Sequence, residues 1–220
     1  MIGFDFMKTA VIKIGGSLFD LPDLAARLSW LRDGLENTNS LIVCGGGAAA
    51  NLVRDWDQTH HLGETAAHWL AIKAMMLNNQ LLCHLLPDSC MVASQAEAAA
   101  AWKMQRVPIL CAFTYLKQTA SPPFADLPAS WDVTSDSIAA WVTLTWPAEE
   151  LILLKSVALP ENKTLSNLAD AGLVDSYLPT LSDCLPTIRW CNLRSDRGPL
   201  QLATVTRGNS FQSRNATGPA

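Results

Sequence analysis

The chain predicts an open α/β fold, on three observations. The β-branched run Val11-Ile12-Lys13-Ile14 ends in Gly15-Gly16-Ser17. A second apolar run, Ser40 to Cys44, ends in Gly45-Gly46-Gly47 and leads into a segment of helical composition. Short apolar runs then keep alternating with segments of helical period as far as about residue 193, the pattern of strands connected by helices.

Taken in order, the first strand covers residues 8–14, and Leu21-Pro22-Asp23 opens a helix whose Leu24, Leu28, Leu31 and Leu35 fall on one face. After the strand at 40–44, a helix from Ala48 to Trp56 is expected to bury Leu52, Val53 and Trp56. A long helix from Glu64 to Leu86 puts His68, Ile72, Met75 and Met76 on one face and Trp69, Lys73 and Leu77 on a neighbouring one. Strands at 90–92 and 107–111 flank an alanine-rich helix, Gln95 to Lys103. From Lys117 to Ala129 the chain is polar and proline-rich, a surface connection of the kind that serves as a lid. Trp131 to Ser137 then leads into a helix from Ile138 to Trp146, with Thr134 or Ser135 as its cap. The strand 151–154 ends in Lys155-Ser156, helical stretches follow at 165–171 and 178–185, and 187–193 is the last strand. The chain reads as one domain over 1–205 with a disordered tail, residues 206–220, the unpatterned composition beginning at about 204.

Composition narrows the function. A net charge of -4 and a pI near 5.5 leave no electrostatic footprint for nucleic acid or anionic membrane, so any cationic site is local. Six cysteines are scattered without a C-x-x-C pair, which reads as free thiols in a reducing compartment. No apolar run is long enough to span a bilayer and the N-terminus lacks a signal-peptide pattern, so a cytoplasmic protein is expected. No residue is assigned as a metal ligand.

The chemistry centres on charges at strand ends. Lys13 lies one position before the last apolar residue of its strand and must either reach water or meet a negative charge where open α/β sheets bind ligands. The glycines beside it let backbone amides approach an anion, although the spacing is neither G-x-x-x-x-G-K-[ST] nor G-x-G-x-x-G. A solvated lysine beside a glycine turn fits that one segment equally well. Lys155 repeats the theme, and two strand-end lysines flanking one anionic ligand explain both. Asp136, at a helix start, can anchor a nearby lysine. Arg54, two turns beyond the triglycine, is either a surface arginine or a hand for an anion held at the helix start.

Val11 to Ser17, Gly45-Gly46-Gly47, Thr134-Ser135-Asp136-Ser137 and Leu153 to Ser156 resemble, in order, the motifs of the amino acid kinase superfamily. Ala50-Asn51-Leu52-Val53-Arg54, His68 with Ala71 to Met75, and Trp131 are similar to the pattern of archaeal-type aminomethylfuran phosphate kinases of methanofuran biosynthesis. The resemblance implies a three-layer αβα sandwich with a mostly parallel central sheet, ATP with Mg2+, a homo-oligomer, and γ-phosphoryl transfer to a small phosphorylated acceptor. It implies that Lys13 stabilises the transferring group, oriented by Asp136, with Lys155 adding charge as in uridylate kinases. Gly15, Gly16, Ser17, Thr134, Ser135 and Ser156 fall on the nucleotide side. Gly45, Gly46, Gly47 and Arg54 hold the acceptor, with His68 and Lys73 near its outer end.

Two family features have no match here: Val157-Ala158-Leu159-Pro160 replaces an Asp-x-Asp/Glu-Gly turn, and Ser182-Asp183-Cys184 stands where a second catalytic lysine is expected. These departures favour a non-catalytic nucleotide-binding scaffold of the same fold as one alternative; a uridylate or isopentenyl phosphate kinase is the other, within the superfamily.

Overall fold

The structure, a computed structural model, describes residues 7–35, 37–119, 127–161, 164–195 and 201–206. Among the described residues seven strands make one sheet: β1 (Lys8–Ile14), β2 (Thr38–Cys44), β3 (Ser89–Val92), β4 (Val107–Leu110), β5 (Glu150–Lys155), β6 (Thr187–Asn192) and β7 (Ala203–Thr204). Their order is β3-β4-β2-β1-β5-β6-β7, and every pair is parallel except β6 with β7. The helices are α1 (Leu24–Asp33), α2 (Gly47–His60), α3 (Glu64–Leu85), α4 (Gln95–Lys103), α5 (Ala112–Gln118), α6 (Ser135–Thr145) and α7 (Leu165–Asp170). They cover both faces of the sheet, giving the three-layer αβα sandwich.

Apolar runs such as Val11 to Ile14 and Leu151 to Leu154 are buried on both sides, as parallel strands between helical layers must be. On one face Val11, Leu41, Val43, Leu151 and Leu153 pack with Ile138, Trp141 and Val142 of α6 and with Ile72 and Met75 of α3. On the other, Ile12, Ile14, Ile42, Ile152 and Leu154 meet Leu24, Leu28 and Leu31 of α1.

The chain runs outward from β1 through β2 to one edge, then returns to lay β5 on the opposite side of β1. That reversal opens a crevice at the carboxyl ends of β1, β2 and β5, the place where open α/β sheets bind ligands. The pleat aims the charged side chains. Lys13 is in register with Leu153, and Lys155 lies two residues beyond it, so both lysines emerge on the face that α6 covers.

Several sequence expectations are corrected. Leu52 and Trp56 are 48% and 46% exposed, and Val53 alone of that trio is buried, because α2 touches the body along a narrow face. The helix expected from Ile138 begins three residues earlier, at Ser135. α5 was not anticipated, and it takes in Lys117 and Gln118 from the expected surface connection. The stretch 178–185 is helical only as a 3-10 turn, Leu178–Leu181. Ala203–Thr204 is a strand and Thr206 bridges Thr164, so ordered chain runs past the expected onset of the tail. Residues 120–126 of the expected lid and 207–220 of the expected tail lie outside the described residues.

Candidate active site

Asp136 sits between the two strand-end lysines. Its Oδ1 is 2.9 Å from Lys13 Nζ and its Oδ2 accepts a hydrogen bond from Lys155 Nζ at 2.7 Å. The three residues are 4%, 4% and 9% exposed for Lys13, Asp136 and Lys155, so the cluster is withdrawn from water. Burial alone would raise the Asp136 carboxyl, but the two ammonium groups outweigh it and hold the group at about 2. Burial pushes the Lys155 ammonium down to about 8, with Asp136 opposing that shift. Two cations share the one carboxylate that contacts them, with the Asp175 carboxylate next nearest to Lys155, an arrangement suited to an anionic ligand. Cys44, at the end of β2, stays a neutral thiol because burial raises its pKa.

The two glycine clusters face each other. Gly15 N–H donates to Leu154 O at 2.9 Å and Gly45 N–H to Ile14 O at 2.8 Å, carrying the sheet's hydrogen bonding one residue past each strand. Gly16 and Gly47 then touch backbone to backbone. A methyl group on either would collide with the other, and Gly47 has φ +53, the left-handed region that favours glycine. Asn78 of α3 fixes the loop from behind by donating to Gly45 O at 2.6 Å.

Beside these loops lies a cleft of about 350 Å³, lined by Gly46, Gly47, Arg54, His68, Trp131 and Ser135 among others. The first turns of α2 and α6 both border it; Asp175 already takes the Thr134 and Ser137 amides of α6, so the start of α2 is the end that suits an anion. Arg54 is held ready: its guanidinium stacks 4.6 Å from the Trp131 ring centroid and donates to Asn51 Oδ1 at 3.1 Å. Trp131 is itself anchored, its Nε1–H donating to Asp57 Oδ2 at 2.9 Å. The His68 ring is buried, and its Nδ1 lies 2.9 Å from Ser130 O. A carbonyl has no proton to give, so Nδ1 is the donor and, in the neutral ring favoured by burial, Nε2 is an acceptor.

Lys73, expected beside His68 at the outer end of the acceptor, is not among the described residues lining the cleft. It is exposed, with its ammonium 5.1 Å from the Phe113 ring centroid, because position 73 falls on the solvent side of α3. On the other side of Lys13, Ser17 Oγ donates to Ser156 Oγ at 3.2 Å, linking the ends of β1 and β5. Thr134 is the N-cap of α6 but makes no side-chain cap bond; its hydroxyl donates instead to Asp175 Oδ2 at 2.8 Å. Asn51 and Trp131 carry part of the family resemblance but were given no role in the site, and Asp175 was not singled out, since nothing around it in the sequence marks it.

Among the described residues, no cluster of three His, Cys, Asp or Glu side chains forms a metal site, and no helix is long and apolar enough to cross a membrane.

A relative from Methanocaldococcus jannaschii, a [5-(aminomethyl)furan-3-yl]methyl phosphate kinase, is 27% identical over 152 residues, covering 67% of this chain. The match spans 65% of that relative's length. Uridylate kinase from Archaeoglobus fulgidus has a similar fold, with TM-score 0.56 and 18% identity over 81% of this chain and 88% of that one. UMP kinase from Ureaplasma parvum superposes with TM-score 0.60 and 13% identity over 90% and 99%. The family model for the amino acid kinase family matches residues 8–158, well over half of the sequence, and the chain belongs to that family.

Proposed function

We propose that the protein is a small-molecule kinase that transfers the γ-phosphoryl group of ATP to a phosphate monoester, making a diphosphate. The observation that carries this reading is Asp136 paired at 2.9 and 2.7 Å with Lys13 and Lys155, buried next to the glycine loops that, with Arg54, line the cleft; the three charged residues themselves are not among the cleft's lining residues. The paired lysines and the half-buried Gly16 and Gly47 beside the cleft fit a polyphosphate. Magnesium arriving with ATP would supply charge that offsets part of the phosphates' own; among the described residues no cluster of three His, Cys, Asp or Glu would hold it independently of the nucleotide.

The residues of the chain then have separable tasks. Gly16 and Ser17 offer backbone amides to the donor phosphates, and Ser156 and Ser135 border them; the Gly15 amide expected beside them is instead held by Leu154 O at 2.9 Å, so Gly15 serves to turn the chain. Lys13 and Lys155 stabilise the charge that gathers on the transferring group, which suffices because phosphoryl transfer needs positioning and electrostatics more than covalent chemistry. Asp136 aims both ammonium groups and offsets their repulsion. Arg54, Gly46, Gly47 and the start of α2 hold the acceptor phosphate, with Trp131, Ile72 and Met75 forming an apolar wall for its body; Gly45, expected with them, has its amide on Ile14 O and does not line the cleft.

The acceptor we favour resembles aminomethylfuran phosphate, supported by the M. jannaschii relative and by a cleft with an apolar wall and an acceptor nitrogen on His68. The test is release of ADP with aminomethylfuran phosphate, UMP, isopentenyl phosphate and acetylglutamate in turn. Turnover of the first supports the proposal, while UMP or isopentenyl phosphate redirects it within phosphate acceptors. A carboxylate acceptor alone, or nucleotide binding with no turnover, overturns it. The homo-oligomer belongs to the same proposal; exposed Leu77, Leu81 and Leu85, one turn apart on α3, support it, and sedimentation equilibrium tests it.

A further inference from the structure

One carboxylate outside the residues assigned to the site is bonded more heavily than any within it. Asp175 lies between α7 and the 3-10 turn at Leu178–Leu181. Its Oδ2 accepts from Thr134 N at 2.9 Å, Thr134 Oγ1 at 2.8 Å and Ser137 N at 3.0 Å. Its Oδ1 accepts from Ser137 Oγ and from Leu178 N at 3.0 Å. The first amides of α6 have no partners within the helix, and Thr134 does not cap them with its own side chain. Asp175 does so from 41 positions away, and a carboxylate there also suits the helix dipole.

The consequence falls on Asp136. It lies between the two residues that Asp175 grips, so the rotation of the α6 start, and with it the direction of the Asp136 side chain, is set from outside the helix. The same segment grips the other half of the pair, since Leu173 O accepts from Lys155 Nζ at 2.6 Å. Buried Val174 and Leu178 anchor this segment in the core on either side of Asp175. A catalytic charge pair must be held to a fraction of an ångström, and here one stretch of six residues holds both members.

We infer that Asp175 is a positioning residue for phosphoryl transfer: its carboxylate, seated on the first turn of α6, keeps Asp136 between Lys13 and Lys155. The inference rests on the kinase reading for its catalytic consequence and, for the placement of Asp136, on the bonds of Asp175 to the first turn of α6 and of Leu173 O to Lys155. The charged groups that face Lys155 are Asp136 from α6, Lys13 from β1 and Asp175 from the 173–178 segment, with the Trp190 ring of β6 at 5.5 Å. Removing the Asp175 charge takes away a neighbour that favours the Lys155 ammonium.

The experiment uses the full chain and its Asp175→Asn variant, with two readouts. In the ligand-free proteins, the Lys155 side chain is titrated by 13Cε-lysine NMR, its resonance assigned with Lys155→Arg. Steady-state kinetics with ATP and the acceptor that the wild type turns over gives the second. The expected result is a Lys155 midpoint moved to lower pH and a kcat lowered on the order of 100-fold with both KM values unchanged. An unmoved midpoint, or an unchanged kcat, overturns the inference, as does a loss shared between kcat and KM that tracks a lower melting temperature. If the wild type turns over no acceptor, the kinase reading fails by itself and the NMR midpoint alone decides the role of Asp175. If Asp175→Asn does not fold, Ser137→Ala, which removes one bond to the same carboxylate, is expected to lower kcat in the same direction, and an unchanged kcat there is equally fatal.

Discussion

Lys155 and Asp136 form a buried ion pair, Nζ to Oδ2 at 2.7 Å, and the same carboxylate serves Lys13 through its other oxygen. Strand register puts the two lysines on one face of the sheet, and α6 brings the one carboxylate that makes their proximity tolerable. Asp136→Ala leaves two ammonium groups facing each other out of water. It is expected to cost about 3–5 kcal/mol of stability along with all turnover. Urea unfolding checks the first, and wild-type stability in this variant would contradict the pairing.

The lysines are expected to act on chemistry more than on binding. Lys13→Ala should lower kcat by about 10²–10³-fold while ATP still binds, because its contact strengthens as the phosphoryl group moves. Calorimetric titration with a non-hydrolysable nucleotide beside kinetics separates the two effects. Equal loss in both would make Lys13 a structural residue. Full activity in Lys155→Ala would remove Lys155 from the catalytic set.

Activity should fall on the alkaline side as Lys155 loses its proton. Burial brings the ammonium of the free protein to about 8, so kcat/KM is expected to decline above that pH. Bound phosphates favour the charged form, which moves the corresponding limb of kcat to higher pH. Coincident limbs for kcat and kcat/KM would exclude Lys155 as the titrating group.

Stability should have an acid limb of its own. The Asp136 carboxyl lies at about 2 against an ordinary value of 3.8, so the unfolded chain binds its proton first as pH drops. The stabilisation is complete above the unfolded value and is lost as pH falls through the folded one, amounting to roughly 2 kcal/mol. Thermal melts between pH 6 and 2 should show that loss, and Asp136→Asn should lack this component.

Arg54→Ala is expected to raise KM for the phosphate acceptor about 10- to 100-fold while leaving KM for ATP unchanged. Arg54→Lys should not restore it, because a single ammonium neither stacks on Trp131 in the same way nor bonds two phosphate oxygens at once. Unchanged acceptor KM in Arg54→Ala would move the acceptor phosphate elsewhere.

Gly47→Ala tests the contact between the two glycine loops. The left-handed backbone alone costs about 1–2 kcal/mol for alanine, and the added methyl meets the Gly16 carbonyl. Lower stability in urea together with weaker nucleotide binding is the expected result; a neutral effect would mean the loops do not touch in solution.

Much of this was legible in the chain. Glycine clusters after Ile14 and Cys44, lysines at two strand ends and an acid at a helix start are local features, and local propensity and periodicity read them directly. Helix α4 falls on the predicted Gln95 to Lys103, where a capping serine and an alanine run leave little freedom. Other features depend on what lies opposite. Leu52 and Trp56 match a buried stripe by spacing, yet α2 turns them to solvent because only the Val53 side meets the body. Lys73 and His68 are close in sequence, but the rotation of α3 sends one to the cleft and the other to the ring of Phe113.

The sequence by itself determined the α/β class, the strand-end charges and the two glycine loops, because each rests on residues adjacent in the chain. Tertiary structure alone decided that one carboxylate serves both lysines, since that depends on the register of β1 with β5 and on where α6 begins. It also decided the partner of that helix start. Asp175 reaches Thr134 and Ser137 across 41 and 38 positions, and its carboxylate acquires its place only when the chain after β5 folds back over the site.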